Sequence, residues 1–243
     1  MEFKALASSS SGNAYILSDG GESIMIEAGI PWPKVQKAMD FQTGAIQACL
    51  VTHGHKDHSG YVGSVLRAGI DVYTPFDERF VGHHRIHFVP SDQQFGFTVG
   101  RWSIKSFPVK HDVVCVGYLI GRVSLEYGIE RVLYLTDCLY SPFRFKGLAM
   151  ILLGVNYSKD TISPDIEPAV RKHIIQGHMS LQTAIELLKA NDLSRVREIW
   201  ILHCSAQNSN AEMFKREIEK LTGKPTFVAA ENACGAPNGR HDL

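Results

Sequence analysis

Four residues of types that bind metal ions occur within one short segment, 53–58, whose sequence is HGHKDH. Imidazoles at positions i and i+2 of an extended loop point the same way, so His53 and His55 can serve one ion. Asp57 and His58 can then turn towards a neighbouring point, so one loop can serve two ions. Neutral imidazole and carboxylate are ligands that suit zinc, manganese or iron(II). The segment therefore predicts a divalent metal site, the alternative being a histidine-rich surface loop.

Two ions with only these four ligands would be under-coordinated, so further ligands are expected at the ends of later strands. Three residues fit: His111 after an extended run at 103–107, Asp137 after the apolar run 132–135, and His203 after the apolar run 199–202. Any one of them alone could equally be a capping or turn residue. Together with the first segment, they complete the ligand set that two ions need.

The elements that must position these residues alternate between strands and helices. The runs 3–6, 13–18 and 23–27 predict an antiparallel meander, and a short helix follows Pro33. The predicted strand 48–51 leads into the histidine segment, which we expect to be a loop before a helix over about 61–68. Residues 72–134 are mostly strand. Strand pairs flanked by helices favour an α/β fold, specifically a four-layer α/β/β/α sandwich.

The last third of the chain predicts a buried strand at 199–202 and two amphipathic helices, which begin after Ser180 and Asn210. With 243 residues, 44% of them apolar and 21% charged, the chain is typical of one globular domain over 1–243. The 25 basic and 25 acidic residues cancel, so nucleic-acid binding would have to rely on a local patch. Five scattered cysteines and no apparent membrane span or leader predict a cytoplasmic protein.

The series strand, HxHxDH, His, Asp, His resembles the metallo-β-lactamase superfamily over nearly the whole chain. The resemblance implies a binuclear site with two divalent ions, Zn²⁺ in the first place or Mn²⁺. It assigns the residues as follows: His53, His55 and His111 to one ion, Asp57, His58 and His203 to the second, and Asp137, with a water, as the bridge between both.

Within the superfamily, the sequences LASSSSGN at 6–13, GHMS at 177–180 and HCS at 203–205 with Asn208 most resemble the YycJ (WalJ) group, and phage-borne relatives of that group look similar too. This resemblance implies hydrolysis of DNA phosphodiesters, and GHMS also resembles ribonuclease Z. There are two departures from the family. Glu27 stands where the family usually has aspartate, and its extra methylene affects the geometry of the groups behind the metal ligands rather than the metals themselves. Segment 154–158 lacks an acid expected there, so substrate positioning could differ.

We therefore predict a binuclear metal-dependent phosphodiesterase or nuclease that acts on DNA through a metal-bridging hydroxide. Asp57 and Asp137 are its predicted catalytic carboxylates, and His178 could supply the proton for a departing alkoxide or only neighbour a helix cap. Ser205 and Asn208 could touch substrate, although a capping role is favoured. Alternatives are a cyclic-nucleotide phosphodiesterase, a thioester or lactone hydrolase, and a catalytically silent metal-stabilised binding protein. A homodimer is expected from the family.

Overall fold

Two β-sheets form the centre of the protein. The structure is a computed structural model and describes residues 1–124, 128–162, 166–204 and 209–230. The first sheet has six strands in the order in which they occur along the chain. They are β1 (Glu2–Ser9), β2 (Gly12–Asp19), β3 (Glu22–Ile26), β4 (Ile46–Leu50), β5 (Val72–Thr74) and β6 (Ile86–Phe88). The strands β1 to β3 are the predicted antiparallel meander, and β3 to β6 run parallel.

The second sheet has seven strands in reverse chain order, from the last strand to the first. They are β7 (Phe95–Val99), β8 (Trp102–Val109), β9 (Cys115–Ser124), β10 (Gly128–Leu135), β11 (Leu148–Gly154), β12 (Glu198–Leu202) and β13 (Thr226–Val228). The strands β7 to β10 are antiparallel, whereas β10 to β13 are parallel. Because parallel strands end at the same edge of a sheet, the loops after β10, β11 and β12 lie side by side.

Six helices accompany the sheets in the described part of the chain. They are α1 (Trp32–Ala38), α2 (Lys56–Ser59), α3 (Val62–Arg67), α4 (Pro168–Gly177), α5 (Leu181–Lys189) and α6 (Ala211–Thr222). Ser180 and Asn210 cap α5 and α6 as predicted: their side chains accept hydrogen bonds from the backbone N–H groups of Thr183 and Met213.

Three apolar cores separate four layers. The central core lies between the sheets and contains Tyr15 and Trp102 from opposite sides. A second core joins the outer face of the first sheet to α1 and α3, and includes Val35 and Val65. The third joins the second sheet to α5 and α6, and includes Phe214. The predicted α/β/β/α sandwich is therefore confirmed, because burying both faces of both sheets requires a helical layer on each side.

Three details differ from the sequence-based expectation. The histidine segment is not entirely a loop, since Lys56–Ser59 forms the one-turn helix α2. The helix α4 and the short strand β13 were not expected. In α4 no side chain caps the first turn, and only Ile174 is among the buried core residues, so its pattern carries little helical signal. Within the described ranges, none of the helices combines the length and the apolar character needed to cross a membrane.

Candidate metal centre

The polar residues singled out in the sequence follow the ends of strands that meet at one rim of the sandwich. His53 follows β4, and a bridge between His53 and Cys115 joins the two sheets there. The backbone N–H of Val116 also donates to the carbonyl of Thr52 at 3.0 Å. Because the first sheet touches the second at this point, the loop after β4 lies against the loops that follow β8 and β10.

His53, His55 and His111 form the first group, and each offers one nitrogen within 4.8 Å of the others. Nε2 of His53 lies 3.1 Å from Nδ1 of His55. Nε2 of His111 is buried and has no hydrogen-bond partner among the described residues. A buried nitrogen in this situation costs free energy unless an ion or water satisfies it, so the group fits a bound cation.

The second group contains Asp57, His58, Asp137 and His203, again with ligand atoms within 4.8 Å of one another. Nε2 of His58 lies 3.3 Å from Oδ2 of Asp57 and 3.0 Å from Oδ2 of Asp137. His203 faces both carboxylates, at 3.3 Å from Asp57 and 3.0 Å from Asp137. Two imidazoles and two carboxylates are a donor set that suits a divalent ion.

Asp137 connects the two groups. Its Oδ2 lies 3.8 Å from Nε2 of His53 in the first group and 3.0 Å from Nε2 of His58 in the second. The carboxylate is almost completely buried, so its charge is not dispersed by solvent. A single acid in this position can be shared by ions in both groups.

Neighbouring polar groups fix which nitrogen of His53 and of His111 faces the cluster. The Thr52 hydroxyl donates to Oε1 of Glu27 at 2.6 Å and lies 2.9 Å from Nδ1 of His53. Since this hydroxyl proton is used by Glu27, Nδ1 of His53 must be the donor to Thr52, which leaves Nε2 as the free lone pair. Nδ1 of His111 likewise donates to the carbonyl of Gly177 at 2.7 Å. Hydrogen bonds of this kind, made on the side of the ring away from the cluster, hold the ring in a fixed orientation.

Glu27 is fully buried beneath the second group. It accepts hydrogen bonds from the backbone and side chain of Thr52 and from the hydroxyl of Tyr134, and its Oε1 lies 3.3 Å from Nδ1 of His58. The longer glutamate therefore still reaches both histidine-bearing positions, His53 through Thr52 and His58 directly. The extra methylene of glutamate therefore does not remove the contacts that this position makes with Thr52 and His58.

The charges in the second group compensate one another. Burial disfavours a cation at His58, but the charges of Asp137 and Glu27 outweigh it and hold the pKa of His58 well above its ordinary value. Burial would raise the pKa of Asp137, but the charges of His203 and His58 bring it well below the usual range. Burial likewise opposes ionisation of Asp57, whereas hydrogen bonds from His203 and His58 lower its pKa. A proton on His58 therefore supplies positive charge beside these carboxylates.

The first group behaves differently. Burial lowers the pKa of His53, with a further contribution from the nearby charge of His58. Burial also lowers the pKa of His111, although Asp137 and Asp112 oppose it. Both imidazoles are therefore neutral near pH 7, which is the form that binds metal.

Three residues at strand ends have a left-handed backbone. The φ angles are 63° at Glu27, 40° at Asp137 and 51° at His203. Side chains other than glycine adopt this region at an energetic penalty, and such strain gathers at functional sites. Each of these residues follows a strand directly or within two positions, so the sharp change of direction turns its side chain back towards the cluster.

Sequence reasoning gave no site role to Asn13, which lies at the start of β2. Its side-chain N–H group lies 3.1 Å from Nε2 of His58 and 3.2 Å from Oδ2 of Asp57, while its carbonyl oxygen accepts from Ser9 and Tyr15. In the sequence, Asn13 stood out only as the last residue of LASSSSGN at 6–13, a segment that carried a family resemblance and no assigned contact.

Gly29 permits the close approach of the metal segment to β2. A Cβ atom at Gly29 would lie 1.7 Å from the carbonyl oxygen of Asp57 and 2.6 Å from the backbone nitrogen of Asn13. No side chain fits there, so the position requires glycine if the loop is to carry Asp57 and His58 to the cluster.

His203 is held by contacts from strand β1 and from the segment that follows β11. Its backbone N–H donates to Oγ of Ser8 at 2.9 Å, and the side chain of Asn156 donates to its carbonyl at 3.1 Å. Asn156 lies in the segment where an acid was expected, and it positions His203 through the backbone. Ser205 and Asn208, just beyond His203, lie outside the described residues, as does Cys234.

His178 also reaches the rim. It follows α4 directly, its ring stacks at 5.7 Å on that of His203, and its Nδ1 lies 3.4 Å from Oδ1 of Asp137. The structure thus brings all seven predicted ligands into two adjacent groups and places the predicted proton donor beside the acid they share.

Comparison with known proteins identifies the family and the fold. Residues 9–157, more than half of the chain, match the Metallo-beta-lactamase superfamily. The chain is 22% identical to "Exodeoxyribonuclease YycJ" of Bacillus anthracis, over 95% of this chain and 92% of that protein. It is 24% identical to "Exodeoxyribonuclease WalJ" of Streptococcus pneumoniae, over 87% and 84%. Its fold is similar to human tRNase Z, short form, with a TM-score of 0.68, 17% identity and coverage of 97% and 99%.

A four-layer sandwich with clustered histidines and carboxylates at the ends of its strands defines a class of metal-dependent hydrolases. The chain belongs to the metallo-β-lactamase superfamily and is a metal-dependent hydrolase of that class.

Proposed function

We propose that this protein is a binuclear phosphodiesterase that cleaves DNA. The observation that supports this proposal most directly is that Asp137 lies between two adjacent groups of possible ligand atoms and contacts both. In this proposal the first ion is held by His53, His55 and His111. The second is held by Asp57, His58 and His203, and Asp137 contacts both. Zinc is the first candidate for the ions and manganese the second, because both accept imidazole and carboxylate.

Ions bound in this way would make a water acidic enough to attack near neutral pH and would offset the negative charge of a phosphate. The side chains of the protein would orient the attacking water and the substrate. Asp57 is the more accessible of the two carboxylates, with 21% of its side chain exposed against 4% for Asp137. We assign Asp57 and Asp137 as the catalytic carboxylates, with Asp57 facing the side from which substrate and water enter.

His178 is the proposed proton donor to the leaving oxygen. Its Nδ1 faces Asp137 at 3.4 Å, and 13% of its side chain is exposed. Asp137 can hold the ring by this nitrogen and so keep it beside the two ligand groups. An alkoxide is a poor leaving group, so a proton delivered from this position speeds its departure.

DNA is the proposed substrate because both curated relatives are named exodeoxyribonucleases. The zero net charge of the chain gives no global attraction for a polyanion. Local attraction is available, because Lys56 within the metal segment and Lys110 beside His111 are both exposed. These two lysines are suited to contact phosphates that flank the one being cleaved.

The decisive experiment is metal removal and reloading. Protein treated with a chelator should lose hydrolysis of bis(p-nitrophenyl) phosphate and of end-labelled single- and double-stranded DNA, and Zn²⁺ or Mn²⁺ should restore both activities. Asp137→Asn should abolish them while remaining folded, because asparagine tolerates the left-handed backbone there. Glu217→Gln, on the exposed face of α6, is the matched control and should remain fully active.

Other substrates provide the contrary outcomes. Turnover of 3′,5′-cyclic nucleotides without cleavage of DNA would replace the proposal by a small-substrate phosphodiesterase. Turnover of thioesters or lactones alone would mean that the enzyme attacks a carbonyl carbon and not phosphorus. Ion binding without turnover of any of these compounds would indicate a metal-stabilised binding protein.

Three further assignments belong to the proposal. We propose one domain over 1–243, supported by the two sheets that share a single central core. We propose a cytoplasmic location, which agrees with the free thiols of Cys49, Cys115, Cys138 and Cys204. We propose a homodimer, which size-exclusion chromatography with light scattering can test directly.

A further inference from the structure

Asp112 places a carboxylate at the first ligand group. Its Oδ1 lies 2.8 Å from Nε2 of His111, and its Oδ2 lies 3.7 Å from Nε2 of His55. About one third of the Asp112 side chain is exposed, so it approaches the group from the open side. It was not among the ligands assigned from the sequence.

The contact with His111 is not an ordinary hydrogen bond. Nδ1 of His111 carries the ring proton, because it donates to the carbonyl of Gly177 at 2.7 Å. Nε2 of the neutral ring is then an acceptor, and it has no hydrogen-bond partner in the described part of the chain. Two acceptor atoms at 2.8 Å repel each other unless a cation lies close to both.

The separation also has the value expected for two ligands of one ion. With metal–ligand bonds of about 2.1 Å, two ligands about 90° apart are separated by about 3.0 Å, and two ligands at a tetrahedral angle by about 3.4 Å. Nε2 of His53 and Nδ1 of His55 lie 3.1 Å apart, and His111 and Asp112 are 2.8 Å apart. Both distances are short enough for the two atoms of each pair to contact one ion.

We propose that Asp112 is a further ligand of the ion held by His53, His55 and His111, and that this oxygen donor raises the preference of that position for Mn²⁺ over Zn²⁺. The inference rests on the two-ion site of the proposed function. Zinc is satisfied by four ligands, whereas manganese favours carboxylate oxygen and a higher coordination number. Asp112 would add a second carboxylate to this ion, besides the Asp137 that the proposal shares between both ions.

The test measures metal binding, independently of turnover. Mn²⁺ and Zn²⁺ are titrated into the chelated full-length protein against a competing indicator, with bound Mn²⁺ also followed by electron paramagnetic resonance. Asp112→Asn should weaken Mn²⁺ binding at one of the two positions about 10–100-fold and Zn²⁺ binding several-fold less. Asparagine retains an oxygen facing His55, so a role that only orients this ring would survive the substitution.

Two controls separate the possible failures. Glu217→Gln should bind both metals like the unaltered protein. His53→Ala should lower the number of bound ions from two to one, and if it does not, the proposed function itself fails. If His53→Ala behaves as expected, the inference on Asp112 is overturned by Mn²⁺ affinity that stays within twofold in Asp112→Asn, or by equal losses for both metals.

Discussion

Thr52 offers a sharp test of how the outer contacts prepare the metal ligands. Its buried hydroxyl joins Glu27 to His53, with distances of 2.6 Å and 2.9 Å. Thr52→Val keeps the branched shape and removes the hydroxyl. Thr52→Ser keeps the hydroxyl and removes one methyl group, so it is the matched control. The backbone N–H of Thr52 continues to donate to Glu27 in both variants.

The magnitude follows from what is left unpaired. In Thr52→Val, Nδ1 of His53 loses its acceptor and Glu27 loses its shortest hydrogen bond, while Tyr134 still donates to the carboxylate at 3.1 Å. A buried polar group without a partner costs about 1–3 kcal/mol, so we expect a loss of about 2–4 kcal/mol in the metal-free protein. A domain of ordinary stability stays folded after such a loss. Metal affinity should fall about 10–100-fold because the His53 ring is no longer held.

Urea unfolding of the chelated protein measures the first quantity, and competition with a metal indicator measures the second. Thr52→Ser should lose little metal affinity. The reasoning is refuted if Thr52→Val binds both ions within twofold of Thr52→Ser and unfolds at the same urea concentration.

Three further predictions concern the same rim. Gly29→Ala should sharply lower the melting temperature and metal content because its Cβ would lie 1.7 Å from the Asp57 carbonyl, whereas Gly44→Ala, where nothing lies within 4 Å, should have little effect. Metal binding near pH 7 should release a proton from His58, because the raised pKa of this residue keeps it charged without metal, and metal affinity should therefore fall as the pH falls. Calorimetry in buffers of different ionisation enthalpy measures the number of protons released. Binding without any proton release would contradict the prediction. His178→Ala should slow the cleavage of DNA at least 100-fold. Hydrolysis of bis(p-nitrophenyl) phosphate should be largely spared, because its leaving group needs no proton. Equal losses of both activities in steady-state assays would rule out His178 as the proton donor.

Much of the fold could be predicted because local and global signals agree. The runs that became β2 and β12 alternate or are continuously apolar, and the caps at Ser180 and Asn210 have the side chains that the first helical turn needs. The helix α4 has neither signal: its first turn has no side-chain cap, and most of its described residues are exposed. Its ten residues could not be predicted from their own pattern.

The clustering of the proposed ligands could be predicted because their residue types and their positions after strands restrict the chemistry. The partners of those ligands could not be predicted. The contacts from Thr52 to Glu27, from Asn13 to Asp57 and from His111 to Gly177 join residues 25, 44 and 66 positions apart in the chain. Polar residues at such separations carry no pattern that links them in the sequence, and only the folded arrangement of strands and helices brings them together.

At Glu27, Asp137 and His203, whose backbones are left-handed, the needs of stability and of the site oppose each other. Glycine at any of the three positions would relieve local strain in the polypeptide but would remove a charge or a ligand. A lineage released from selection for catalysis would thus find its most stabilising replacements among the residues on which activity depends. In this chain the backbone strain therefore coincides with side chains that form or contact the second ligand group.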